Sequence, residues 1–127
     1  MDAKTLQARL DIARSFKHSV GHIEFRCRLI PQSRVAGIYE RNRGSNMDAA
    51  MDILARTVLG MKGALASDLN LEGDDPIEDS IDSALMLLEE RQDIAVALAS
   101  EIAQRIAARS KDIGEEEKNS SSGSAST

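Results

Sequence analysis

The sequence predicts a mainly α-helical fold: a small helical bundle with one short β-strand or hairpin near residues 20–40 and a disordered C-terminal tail. Three observations lead there. Apolar residues recur at spacings of three and four over most of the chain. One stretch around Phe25 alternates with a period of two instead. After Gly114 only Glu, Lys, Asn, Ser, Gly, Ala and Thr occur. A chain of 127 residues fits one domain, read as 1–113, and 114–127 reads as an acidic, Ser-rich tail without the apolar surface to offset its ordering entropy.

The elements follow in order. Leu6, Leu10, Ala13 and Phe16 keep helical spacing and predict a first helix over Thr5–Phe16. From His22 the period changes: Ile23, Phe25, Cys27 and Leu29 alternate with Glu24, Arg26 and Arg28, the pattern of a half-buried strand. Pro31 ends it, and Ser33 is placed to cap a short helix over 34–40. A hairpin partner spanning Val35–Tyr39 is the rival reading, because a lone strand leaves its hydrogen-bonding edges unpaired.

Ser45 or Asn46 then caps a helix whose stripe of Met47, Ala50, Met51, Leu54, Val58, Met61 and Leu65 carries it to about Asp68, with Gly60 and Gly63 weakening its end. Residues 70–75 form a loop. Asp75 is read as a cap, Pro76 as a first helical residue, and Ile77, Ile81, Leu85 and Leu88 as the next stripe. Glu89–Asp93 interrupts it, leaving open whether two helices merge or break there. Asp93 caps a last helix with Ile94, Leu98, Ile102 and Ile106 in one row, ending near Ile113 before Gly114.

Composition removes several function classes. Phe16, Phe25 and Tyr39 are the only aromatic residues, so the core is aliphatic and single-stranded nucleic acid has no platform to stack on. Cys27 is alone, which excludes an internal disulfide and points to a reducing, cytoplasmic compartment. No stretch is apolar enough to span a bilayer, and the N-terminus lacks the order of a signal peptide.

Charge is uneven: residues 1–43 carry nine Lys/Arg against four Asp/Glu, and residues 44–127 carry seven against seventeen. Either the basic half meets an acidic partner or a phosphate backbone, or the halves neutralise each other; the second reading is the simpler.

Candidate chemistry is thin. Asp68, Asn70, Glu72, Asp74 and Asp79 around Gly73 echo a calcium-binding EF-hand loop, but Glu72, Pro76 and the short Asp79 depart from it, and an acidic turn explains the run as well. His18 and His22 lie four apart at an expected helix-to-strand junction, with no further ligand to complete a zinc site. Glu78, Asp79, Asp82, Glu89 and Glu90 read as a solvated face opposite the apolar stripe. No phosphate loop or nucleophile elbow occurs, so no enzyme, metal or cofactor is implied.

Met47, Met51, Met61 and Met86 fill gaps in an aromatic-poor core or form an adaptable binding surface. Phe25, Leu29, Met47, Met51 and Leu54 are the candidate client-binding residues. Arg26, Arg28, Arg34, Arg41 and Arg43 are the candidate contacts of an alternative, a small nucleic-acid-associated regulator.

The order of parts resembles the tail assembly chaperones of long-tailed bacteriophages. The run Ile23-Glu24-Phe25-Arg26-Cys27-Arg28-Leu29, then a proline and a helix, then a bundle, looks like that family. Residues 87–98 are similar to its acidic C-terminal helix region, and the likeness covers roughly residues 20–113. In that family a programmed ribosomal frameshift extends the chaperone, and Glu117-Lys118-Asn119 can be encoded by a slippery A-AAA-AAC heptamer. The resemblance implies a homo-oligomeric helper in the host cytoplasm that binds the tape measure protein, promotes assembly of tail tube protein around it, and is absent from the finished virion.

Overall fold

The computed structural model describes the backbone of residues 1–125 and the side chains of residues 1–114. Helix α1 (Ala3–Arg14) opens at Asp2, whose carboxylate accepts the Thr5 N–H at 2.8 Å. None of its residues is buried. It ends two residues before the predicted limit, because Phe16 belongs to a strand that the helical spacing concealed.

That strand, β1 (Ser15–Val20), pairs antiparallel with β2 (Ile23–Arg28) from Ser15↔Arg28 to Val20↔Ile23. Two residues, Gly21 and His22, close the hairpin, and Gly21 has φ 62°, the left-handed geometry that a tight hairpin turn requires. The partner of the predicted strand therefore lies before it. The rival at Val35–Tyr39 is helical, part of α2 (Gln32–Arg41). Pro31, not Ser33, occupies the N-cap of α2, and no side chain caps that end.

Helix α3 (Asn46–Thr57) begins where Ser45 accepts the Asp48 N–H at 3.1 Å. It stops eleven residues before the predicted end, and β3 (Val58–Lys62) follows directly. The sheet order is β1-β2-β3, all antiparallel. A bulge opposite Arg26/Cys27 sets Val58 against Cys27 and Met61 against Phe25. The extra residue puts two core-facing side chains three apart, which imitates helical spacing.

Beyond β3 a 3-10 turn (Ala66–Leu69) and an isolated bridge, Leu65↔Pro76, hold the acidic loop in place. Pro76 thus sits in a bridge and Asp75 caps nothing. Helix α4 (Ile81–Glu90) starts instead at Ser80, which accepts the Ser83 N–H. Arg91 breaks the chain between α4 and α5 (Gln92–Ala125), so the two helices do not merge, and Asp93 lies inside the first turn of α5 instead of capping it. The α5 backbone continues past Gly114, where the sequence sets a helix end. The expected tail, 114–127, falls almost wholly beyond the described side chains.

The fold is mainly α with a small antiparallel sheet, as the sequence predicts. One face of the sheet carries Ile23, Phe25, Cys27, Val58 and Met61 into a core completed by Ile38, Ile53, Leu54, Leu87, Leu88, Leu98 and Ile102. Helix α1 adds nothing to that core.

Candidate functional site

Burial sorts the candidate client-binding residues. Phe25, Leu29 and Leu54 are core side chains, at 0%, 7% and 0% exposure, so they hold the fold together and offer a client little or no surface. Met61 is likewise sealed. Met51 is half-buried against the core, and Met86 projects into solvent on α4. Met47 reaches the groove between α2, α3 and α5, whereas Leu29 contributes to the wall of a separate arginine-lined cleft.

The groove lies where α2, α3 and α5 meet, has a volume of about 270 Å³, and is lined by Tyr39, Asn46, Met47, Ala50, Ile53, Val96, Ala99, Ser100 and Ala103. Tyr39 and Val96 are about half exposed at its rim. The register of α5 explains it: Leu98, Ile102 and Ile106 face inward, which turns Val96, Ser100 and Ala103 outward beside Met47. Alanines at this seam let another helix approach closely, and a thioether beside them adapts to its shape.

The basic candidates scatter. Arg26 is paired to Asp79 at 2.7 Å, Arg41 to Asp52 at 3.7 Å, and Arg43 to Glu40. Arg28 stands 3.8 Å from Asp11 and lines a cleft with Arg34 and with two arginines that sequence spacing did not single out, Arg14 and Arg56. Those two lie on α1 and α3, and only the fold brings them together.

The EF-hand-like segment is tied up by the protein itself. Asp68 accepts the Leu65 N–H at 2.7 Å and pairs with His22 at 2.9 Å. Burial alone raises the Asp68 pKa, but the Leu65 and His22 bonds outweigh it and leave the carboxyl below its ordinary value. Asp79 accepts the Met61 N–H at 2.9 Å as well as the Arg26 guanidinium, whose hydrogen bond holds it low. Asp79 is exposed along with Glu78, Asp82, Glu89 and Glu90, as expected, but unlike a merely solvated carboxylate it is bonded to β2 and β3. Among the described residues no three His, Cys, Asp or Glu side chains converge as metal ligands. His18 lies in β1 and His22 in the hairpin turn, so the two share no helical face.

Arg91 clamps the α4–α5 corner. It donates twice to Asp93, at 3.0 and 2.9 Å, and once to the Asp68 carbonyl at 2.9 Å. The paired hydrogen bonds from Arg91 lower the Asp93 pKa to about 2. Burial pushes the Cys27 thiol up to about 12, against a small opposing pull from Arg105. Arg105 itself stacks over Phe16, 4.2 Å from the ring centre, and joins α5 to β1.

Among the described residues no helix is long and apolar enough to cross a membrane. Compared with protein-family models, with curated proteins and with solved structures, the chain matches none of them.

Proposed function

We propose that this protein is a non-catalytic binding protein that shields an apolar helical client, and that it acts as a tail assembly chaperone of a long-tailed bacteriophage in the host cytoplasm. The groove of Met47, Ala50, Val96, Ala99 and Ala103 carries the reading: it is apolar, open to solvent, and floored by small side chains that admit a helix backbone. The client's identity, the tape measure protein, and the role in building the tail tube come from the family resemblance. An acidic chain, at net charge −5, stays soluble while offering such a patch, and self-association along a long client would multiply weak contacts.

Co-expression with a fragment of the tape measure protein tests it. The fragment stays soluble beside the wild-type chain and precipitates beside Met47→Glu, whose own fold is intact because the side chain is only half-buried. A fragment that precipitates equally with both chains rejects the reading. The nucleic-acid alternative draws less support, since Arg26, Arg41 and Arg43 are each held by a carboxylate of the same chain.

A further inference from the structure

The arginine-lined cleft is a second surface, separate from the apolar groove. It lies between α1, the Leu29–Pro31 segment and α3, with a volume of about 400 Å³, within the range of small-molecule pockets. Arg14, Arg28, Arg34 and Arg56 line it, and among the described residues Asp11 is the only acidic one in its walls. With Arg56 neutralised by Asp52, the remaining arginines outnumber Asp11 by two positive charges among the described residues of this concave site.

Their pairing is incomplete. Arg56 donates to Asp52 at 2.8 Å, outside the lining, and Arg28 reaches Asp11 only at 3.8 Å, beyond hydrogen-bond length. Arg14 and Arg34 make no side-chain hydrogen bond or ion pair with another described residue, although each lines the cleft. Like charges gathered in a recess repel one another, and an anion seated among them removes that cost. Gln7, on the α1 wall, adds a neutral polar group.

We propose that this cleft binds an oligophosphate, a diphosphate or triphosphate chain whose negative charges the incompletely paired arginines offset. Guanidinium forks suit that ligand because each can donate two parallel hydrogen bonds to phosphate oxygens. Convergence on one recess favours a compact polyanion over an extended backbone, which would need a track of free cations; Arg41 and Arg43, which could have extended one, are paired within the chain. No aromatic side chain lines the cleft, so it has no aromatic platform for a nucleobase, and the phosphate chain supplies most of the recognition.

Calorimetric titration at low ionic strength with inorganic triphosphate, and separately with a nucleoside triphosphate, tests the assignment. Saturable one-to-one binding of both, within about threefold of each other and weakened by added salt, is expected. The double variant Arg14→Gln/Arg34→Gln should bind about tenfold more weakly or worse while its melting temperature in the absence of ligand holds, and Arg43→Gln, outside the cleft, should bind as the parent does. Absence of saturable binding by the parent overturns the proposal. So does a nucleotide far tighter than inorganic triphosphate, an equal loss in Arg43→Gln, or a short DNA duplex that outcompetes triphosphate. None of these results depends on the client groove, which the titration leaves untouched.

Discussion

At the scale of single residues, Asp79 is a carboxylate that joins separate elements. It bonds the Met61 N–H of β3 and the Arg26 guanidinium of β2, so one side chain ties two strands to the loop before α4. Asp79→Ala strands the N–H of buried Met61, while water can replace the carboxylate at the partly exposed Arg26, and should cost about 1–2 kcal/mol, read from urea denaturation. Acid should weaken the fold by the same route. Asp52, Asp68, Asp79 and Asp93 all have pKa values below the ordinary carboxylate value. A depressed carboxyl contributes stability above its unfolded-state pKa, about 3.9, and loses it as pH falls through the folded-state value. The urea midpoint should therefore decline from about pH 5 downward, with the Asp93 share persisting to about pH 2; a midpoint flat across that window contradicts the pairing. Cys27 offers a complementary measurement. With its thiol buried and its pKa near 12, native protein should resist alkylation at pH 8 and react only at the rate of global opening.

At the scale of elements, β2 was legible because three apolar residues alternate with three charged ones. β1 was not, since Phe16 completes a helical spacing from Leu6 and also starts the alternation Phe16, His18, Val20. The one available signal was the two-residue Gly21-His22 link between Val20 and Ile23, a hairpin spacing. β3 was hidden more deeply: the bulge separates Val58 from Met61 by the same interval as a helical turn. Gly60 and Gly63 read as weak helix positions but are close-approach positions. A Cβ on Gly63 would meet the His22 carbonyl oxygen at 2.4 Å, with φ at 86°. Gly63→Ala should thus cost well over the ~1–2 kcal/mol expected for left-handed strain alone. Gly21→Ala, at φ 62° with nothing within 4 Å, should stay near that lower figure. Equal losses from the two variants in chemical denaturation would refute the contact at His22.

At the scale of the whole molecule, burial and charge are rearranged by topology in ways that no local pattern records. Leu54 and Met47 share a predicted stripe, yet one is sealed in the core and the other borders the groove. Leu54→Ala should cost about 2–5 kcal/mol of stability, whereas Met47→Glu should leave stability nearly unchanged and abolish client protection. Arg28 and Arg34 lie six apart in a basic segment, but only the packing of α1 and α3 adds Arg14 and Arg56 to them. The charge halves do partly neutralise each other, through Arg26–Asp79 and Arg41–Asp52 across the boundary at residue 43. The chaperone reading also reaches the gene: its coding DNA should carry the slippery heptamer at Glu117–Asn119 with an open −1 frame beyond, and an immediate stop there would remove that support. One further consequence follows from the order β1-β2-β3, in which the central strand acquires its partners at very different times. The hairpin closes within microseconds of leaving the ribosome, as such local pairs do. Its other edge must wait for about thirty more residues to be synthesised, a delay of seconds at ordinary translation speed. During that interval the nascent chain presents Ile23, Phe25 and Cys27 on an open strand beside an unpaired edge, the arrangement most prone to capture by a neighbouring chain. The chain thus passes through a moment, early in synthesis, when it is itself in need of the protection that the proposed function has it extend to a client.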